Sequence, residues 1–188
     1  PHRVPQPLYI ALVHYPIVDR EGKEHTSAIT NLDVHDLSRL ARTYGVARYF
    51  VVTPIAAQRV LVDRILEHWR DGVGSERLPT RGVALGRCSP IESIENAIEE
   101  IERETRQAPF VVATSARATR RTISYESLRE TRASRPVLIL FGTAHGLAKR
   151  VVEGVDALLP PIRAGSDYNH LSVRAATAIT LDRFLGDS

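Results

Sequence analysis

The sequence is poor in several residue types, and each shortage narrows the function. Cys88 is the only cysteine in 188 residues. An internal disulfide and a cysteine-based zinc site are therefore excluded. No apolar run approaches the ~18 residues that a membrane-spanning helix needs. The first seven residues, Pro1 to Pro7, contain no apolar core of a secretory leader and read as a loose arm. A soluble, cytoplasmic protein is the resulting expectation. Lysine is nearly absent: Lys23 and Lys149 leave 23 of the 25 basic residues to arginine. Arginine's planar fork suits phosphates and base edges. A GC-rich genome gives the same bias, and the net charge is only +3. Composition thus permits a nucleic-acid partner without requiring one.

What is present is an alternation of short apolar runs and amphipathic stretches. Strands are predicted at residues 8–14, 48–53, 82–87, 109–114, 136–141 and 155–159. Helices are predicted at 33–44, from Pro54 to about Arg70, from a capping box at Ser89–Glu92 to about Arg106, at 124–131, at 146–153 and at 172–185. Residues 15–30 and 71–80 read as loops. Strand–helix alternation implies an α/β fold: a mostly parallel sheet with helices on both faces. No linker or repeat divides the chain, so residues 1–188 are expected to form one domain. Ligands of such sheets bind beyond the carboxyl ends of the strands. The loops after His14, Thr114, Phe141 and Leu159 are therefore the candidate site.

Two of these loops have a distinctive sequence. Phe141-Gly142-Thr143-Ala144-His145-Gly146-Leu147 leaves the most apolar strand. Gly142 and Gly146 allow a sharp bend or a close backbone approach to a ligand. The turn is neither a P-loop nor a GxGxxG dinucleotide turn, because Ala144 and Lys149 stand in the wrong places. Then Leu158-Leu159-Pro160-Pro161-Ile162-Arg163-Ala164-Gly165-Ser166-Asp167-Tyr168-Asn169-His170-Leu171-Ser172-Val173 runs from a strand end through a rigid Pro-Pro. It opens a helix of small residues, Ala175 to Ala178, which is suited to close packing in the core or at a dimer interface.

These two segments, with TNLDVHDLSRLARTYGVARYFVV at residues 30–52, resemble the three ordered motifs of the SPOUT methyltransferases. The match is closest to a small RNA methyltransferase subgroup with an early His-Tyr-Pro, here His14-Tyr15-Pro16. The resemblance implies a deep C-terminal trefoil knot, S-adenosylmethionine as cofactor, methyl transfer to a tRNA or rRNA nucleotide, and a homodimer through the C-terminal helix region. By motif position it places the cofactor on Thr114, Ser115, Gly142, Thr143, Gly146, Leu159, Pro161, Ile162, Asn169, His170 and Leu171. It assigns catalysis to Arg39, with Asn31 and His35 on the same helix. The motif's Asn-to-Arg spacing is one residue shorter here, and Asp36 stands where the family has a small residue. His35, Arg39 and Arg42 fall on one polar face. Arg42, with Arg117, Arg120 and Arg121, is the expected RNA contact. The stretch 115–135 holds six arginines against two glutamates, and Tyr125 is placed to stack on a base. No metal is implied. Two other readings stay open: a nucleotide-cofactor enzyme of doubly wound fold, and a non-catalytic RNA-binding or regulatory module on the same scaffold.

Overall fold

A computed structural model describes residues 4–71, 79–115 and 121–187. Strand β1 (Leu8–Val13) is buried at all six positions, as an unbroken apolar run demands. It lies between β4 (Arg48–Val52) and β7 (Val137–Gly142), parallel to both. Strands β5 (Cys88–Ile91), β6 (Phe110–Ala113) and β8 (Ala157–Leu158) complete a six-stranded sheet of order β5-β4-β1-β7-β6-β8. Every pairing in that sheet is parallel. The expected α/β architecture is what the structure shows.

One sheet face is covered by α1 (Asn31–Thr43), α2 (Ala56–Arg70), α3 (Pro79–Leu85), α5 (Tyr125–Arg132) and α7 (Val173–Leu185). The other is covered by α4 (Ile94–Thr105) and α6 (Lys149–Gly154). Helix α1 begins where the Thr30 hydroxyl accepts from the Asp33 N–H at 3.1 Å, and it stops at Gly45, whose φ is +69°. Its buried stripe is Val34, Leu37 and Ala41.

Three sequence expectations need correction. Residues 82–87 are not a strand. They lie mostly in α3, packed so tightly on α2 that a Cβ on Gly82 would sit 2.5 Å from the Trp69 carbonyl oxygen. A run as short as Gly-Val-Ala-Leu carries too little periodicity to separate helix from strand. Ser89 does not cap a helix. Ser89, Pro90 and Ile91 pair with β4 as the edge strand β5, where proline's missing N–H faces outward. The cap of α4 is Ser93, whose hydroxyl accepts from the Asn96 N–H at 3.0 Å.

The third correction touches the site. Residues 15–30 include a small hairpin, β2 (Ile17–Val18) and β3 (Glu24–His25), turned at Gly22 with φ +81°. This hairpin grips the glycine turn: Val18 N–H donates to the Gly146 carbonyl, and Ala148 N–H to the Pro16 carbonyl. Residues 146–148 are therefore extended against it, and α6 starts three residues later than expected. The proline in this grip follows a cis Tyr15–Pro16 peptide bond.

Candidate cofactor and acceptor site

The sheet order places β1 between the two directions in which the chain winds. The carboxyl ends of β1, β6 and β7 meet at that switch point, where open α/β sheets bind ligands. A cavity of about 390 Å³ opens there, within the size range of small-molecule sites. Thr114 enters it from the end of β6, and Gly142, Thr143 and Ala144 from the end of β7. Ser27, Ala28, Thr30 and Asp33 close it from the segment that runs into α1. Leu171 to Arg174, with Ala176, close it from the start of α7.

The glycine turn is shaped by backbone contacts. A Cβ on Gly142 would lie 2.7 Å from the Leu147 nitrogen and 3.0 Å from the Gly146 carbonyl carbon. The chain folds back on itself here, so only glycine fits. Ala144 is held at φ +51° and Gly146 at φ +109° in the same bend. Thr114 N–H donates to the Leu140 carbonyl at 3.1 Å, which fixes the loop opposite.

Two polar groups line the cavity floor and wall. Asp33, buried in the first turn of α1, accepts from Arg174 Nη1 at 2.8 Å. Asp36 Oδ2 lies 3.7 Å from Arg174 Nε. Helices α1 and α7 are thus joined by charge at the cavity's edge. Nearby, His14 Nδ1 is 2.9 Å from the Ser27 hydroxyl, which in turn bonds to the Thr143 hydroxyl. The Thr143 hydroxyl lies 3.2 Å from the Val13 carbonyl. His14 is buried, and its Nε2 has no hydrogen-bond partner. Burial lowers its pKa to about 4, against a smaller opposing pull from Asp33, so the ring is neutral near pH 7.

Of the expected cofactor residues, the cavity unites Thr114, Gly142, Thr143 and Leu171. Leu159 lies beside β6, its N–H donating to the Ala113 carbonyl at 2.9 Å, but it does not line the cavity. Ser115, Pro161, Ile162, Asn169 and His170 do not line it either; Asn169 and His170 are exposed, and His170 packs edge-on against the Tyr168 ring. Gly146 is spent on the hairpin. On α1, the structure separates the three expected catalytic residues. His35 is not on an exposed polar face: it is buried, with its ring edge-on to Trp69 at 5.1 Å. Asn31 lines a different hollow, formed with Arg64, His68 and Trp69 of α2. The Arg39 side chain is 60% exposed, 3.8 Å from Asp36 and outside the cavity lining. A helix packed on two neighbours buries more than one stripe, and His35 lies on the second of them.

The arginine-rich stretch has backbone partners within the chain. Arg121 Nη1 donates to the Val152 and Glu153 carbonyls at the end of α6, and Arg129 Nη1 to the Arg183 and Phe184 carbonyls at the end of α7. Arg132 and Arg135 hold the carbonyls of Gln6, Ala108 and Pro109. These guanidiniums fasten chain ends, satisfying carbonyls that helix ends and loops leave open. Tyr125 is half-buried and packs beside Phe184, 6.4 Å between ring centres. Arg42 is exposed in the last turn of α1. Arg117 and Arg120 lie outside the described residues.

Comparison with known proteins fits this geometry. A family model described as SAM-dependent RNA methyltransferase matches residues 7–186. The chain belongs to that family. Among curated relatives, a protein of Oleidesulfovibrio alaskensis called tRNA (guanine-N(1)-)-methyltransferase is 50% identical over 181 residues, covering 96% of this chain and 42% of the relative. An uncharacterised protein of Aquifex aeolicus is 39% identical, covering 94% of this chain and 87% of its own length. The chain thus spans about two-fifths of the first relative and nearly all of the second. Among solved structures, the SpoU methyltransferase of Streptomyces viridochromogenes, with AdoMet bound, superposes at a TM-score of 0.62. It is 13% identical, with 97% of this chain and 58% of that one covered. An AdoMet-bound rRNA methyltransferase of Sinorhizobium meliloti gives 0.56 at 18% identity, covering 97% and 57%. The fold of this methyltransferase-family chain is that of the SpoU and TrmH proteins, as the sequence resemblance implies.

Sequence reasoning missed Ser27, Thr30, Asp33 and Arg174. Arg174 did leave a signal: it is a charged residue inside Ser-Val-Arg-Ala-Ala, where the resembled motif has only small residues. Asp33 is the one acid in the first turn of α1, where the helix dipole favours a carboxylate.

Proposed function

We propose that this chain transfers a methyl group from S-adenosylmethionine to a nucleotide of tRNA or rRNA. The observation that carries the reading is the cavity at the switch point, built from segments of all three family motifs. Its residues fit the cofactor: Phe141, Ala144, Leu171 and Val173 offer apolar surface to adenine and ribose, and the turn Gly142–Ala144 brings backbone within reach. When bound, S-adenosylmethionine supplies an electrophilic methyl. The chain's own part is to hold that end of the cofactor among Thr114, Gly142, Thr143 and Leu171, and to leave one side open for the acceptor atom. Arg39, on the exposed side of α1, meets the incoming RNA. Asn31, at the start of α1, lines the hollow beside α2 and offers the RNA a second, separate contact.

The guanine-N1 activity named for the Oleidesulfovibrio relative belongs to a protein more than twice as long. The acceptor of this chain is a ribose hydroxyl or a base nitrogen of the tRNA or rRNA nucleotide. The reading includes a single cytoplasmic domain and the C-terminal knot: β8 sits at the sheet edge, and its continuation returns across the ends of β6 and β7 to reach α7. It also includes a homodimer. Helix α7 buries Thr177, Thr180, Leu181 and Phe184 within the chain but leaves Ala175, Ala178 and Ile179 half-exposed, with Leu171 and, on α1, Leu32 open beside the cavity. Among the described residues, no helix is long and apolar enough to cross a membrane, and no cluster suited to a metal occurs.

The test is transfer of labelled methyl from S-adenosylmethionine to total RNA. Label in RNA supports the proposal. Cofactor binding without label in any RNA overturns it in favour of a non-catalytic module.

A further inference from the structure

The His14–Ser27–Thr143 chain has only one consistent direction. The Val13 carbonyl can only accept, so the Thr143 hydroxyl donates to it. Having spent its proton, Thr143 must accept from Ser27. Ser27 has then spent its own proton and must accept from His14 Nδ1–H. The ring is therefore the Nδ1–H tautomer. Its buried, unpartnered Nε2 is a lone pair and not a stranded N–H, the less costly arrangement. Ser27 and Thr143 each retain one lone pair, and both residues line the cavity. No hydroxyl proton of either is left to point at a ligand.

Beside this wall stands the Asp33 carboxylate, also lining the cavity. Its partner Arg174 faces a second carboxylate, Asp36. Asp36 also lies 3.8 Å from Arg39, so two acids stand against two guanidiniums and the cluster is balanced, while neutral His14 adds no positive charge. A wall of acceptors whose hydroxyl protons are all spent offers an anion no donor and turns its lone pairs towards a positive centre. S-adenosylmethionine carries two positive centres, the sulfonium and the α-ammonium.

We propose that Ser27, Thr143 and Asp33 form a recognition wall for a positive centre of the cofactor. This rests on reading the cavity as the S-adenosylmethionine site. If the centre is the sulfonium, the wall also favours turnover. Transfer would break the methyl–sulfur bond, form the new bond to carbon from the acceptor's lone pair, return the bonding pair to sulfur and release the acceptor's proton to solvent. The product's sulfur is then neutral, the attraction to the wall is lost, and S-adenosylhomocysteine leaves more readily than the substrate did.

Calorimetry on the full chain with three probes tests this. Sinefungin carries an ammonium near the place of the sulfonium and a second one in its tail. S-adenosylhomocysteine keeps only the tail ammonium. 5′-Methylthioadenosine has neither. Charged hydrogen bonds of this kind predict about a ten-fold preference or more. Sinefungin over S-adenosylhomocysteine assigns the wall to the sulfonium; S-adenosylhomocysteine over 5′-methylthioadenosine, which differ by the tail's ammonium and carboxylate together, assigns it to the α-ammonium only where the wall variants erase that preference. Ser27→Ala, Thr143→Val and Asp33→Asn should each erase most of the preference, lowering affinity for the charged probes more than for 5′-methylthioadenosine. Ser27→Thr, which keeps the oxygen, should retain it and controls for folding. Equal affinities for all three probes, or preferences unchanged in every variant, overturn the inference alone. Failure of the wild-type chain to bind any probe overturns the cofactor reading with it.

Discussion

The buried neutral His14 makes the protein's stability depend on pH in a calculable way. Its pKa falls from an ordinary 6.5 to about 4 because burial penalises the charged ring. Between those values the unfolded chain binds a proton that the folded chain refuses. Stability from this group is therefore complete above pH 6.5 and drains away as pH falls towards 4. About 2.5 pH units at 1.36 kcal/mol each, less the partial protonation of the folded state at the lower end, gives about 3 kcal/mol by pH 4. For a chain of this size that is about 6–12 °C in melting temperature. His14→Asn isolates the contribution. Asparagine places an amide nitrogen near the position of Nδ1, so it still donates to Ser27, but it does not titrate. Urea unfolding at pH 7 and pH 4 should show the wild-type chain losing about 3 kcal/mol more than the variant. Equal losses in the two proteins would refute the claim that His14 is buried and neutral.

Gly142→Ala pushes a methyl group into the Leu147 and Gly146 backbone at 2.7 and 3.0 Å. It should cost about 1–3 kcal/mol of stability by chemical denaturation, and cofactor binding should weaken even where the protein remains folded. Arg39→Ala should abolish methyl transfer to RNA and spare cofactor affinity, since the side chain stands outside the cavity. Persistent transfer would move catalysis to another residue.

The sheet was legible from the sequence because β1, β4, β6 and β7 are apolar runs bounded by turn signals, and alternation with helices dictates parallel pairing. The short elements were not. Gly82 and Pro90 act through packing with Trp69 and through an edge position, neither of which leaves a local pattern. The three loops of the cofactor site were legible as motifs. Within them, single residues were not: Leu171 reaches the cavity and Asn169 turns outward, a choice made by the path of a loop. The anchoring role of the arginine cluster was hidden for a definite reason. Composition records charge but not its partners, and Arg121, Arg129, Arg132 and Arg135 spend theirs on backbone carbonyls. Asp33 and Arg174 lie 141 residues apart, so their pairing is visible only once α1 and α7 are packed together.

The central claim is that the cavity between the ends of β6 and β7 and the starts of α1 and α7 holds S-adenosylmethionine. Calorimetric titration with S-adenosylhomocysteine tests it most directly, on the wild-type chain and on Gly142→Ala. The account predicts saturable one-site binding by the wild-type chain and much weaker binding by a folded Gly142→Ala. Absence of binding by the wild-type chain at about 1 mM, the level of about 4 kcal/mol, would contradict it, as would full affinity in the variant.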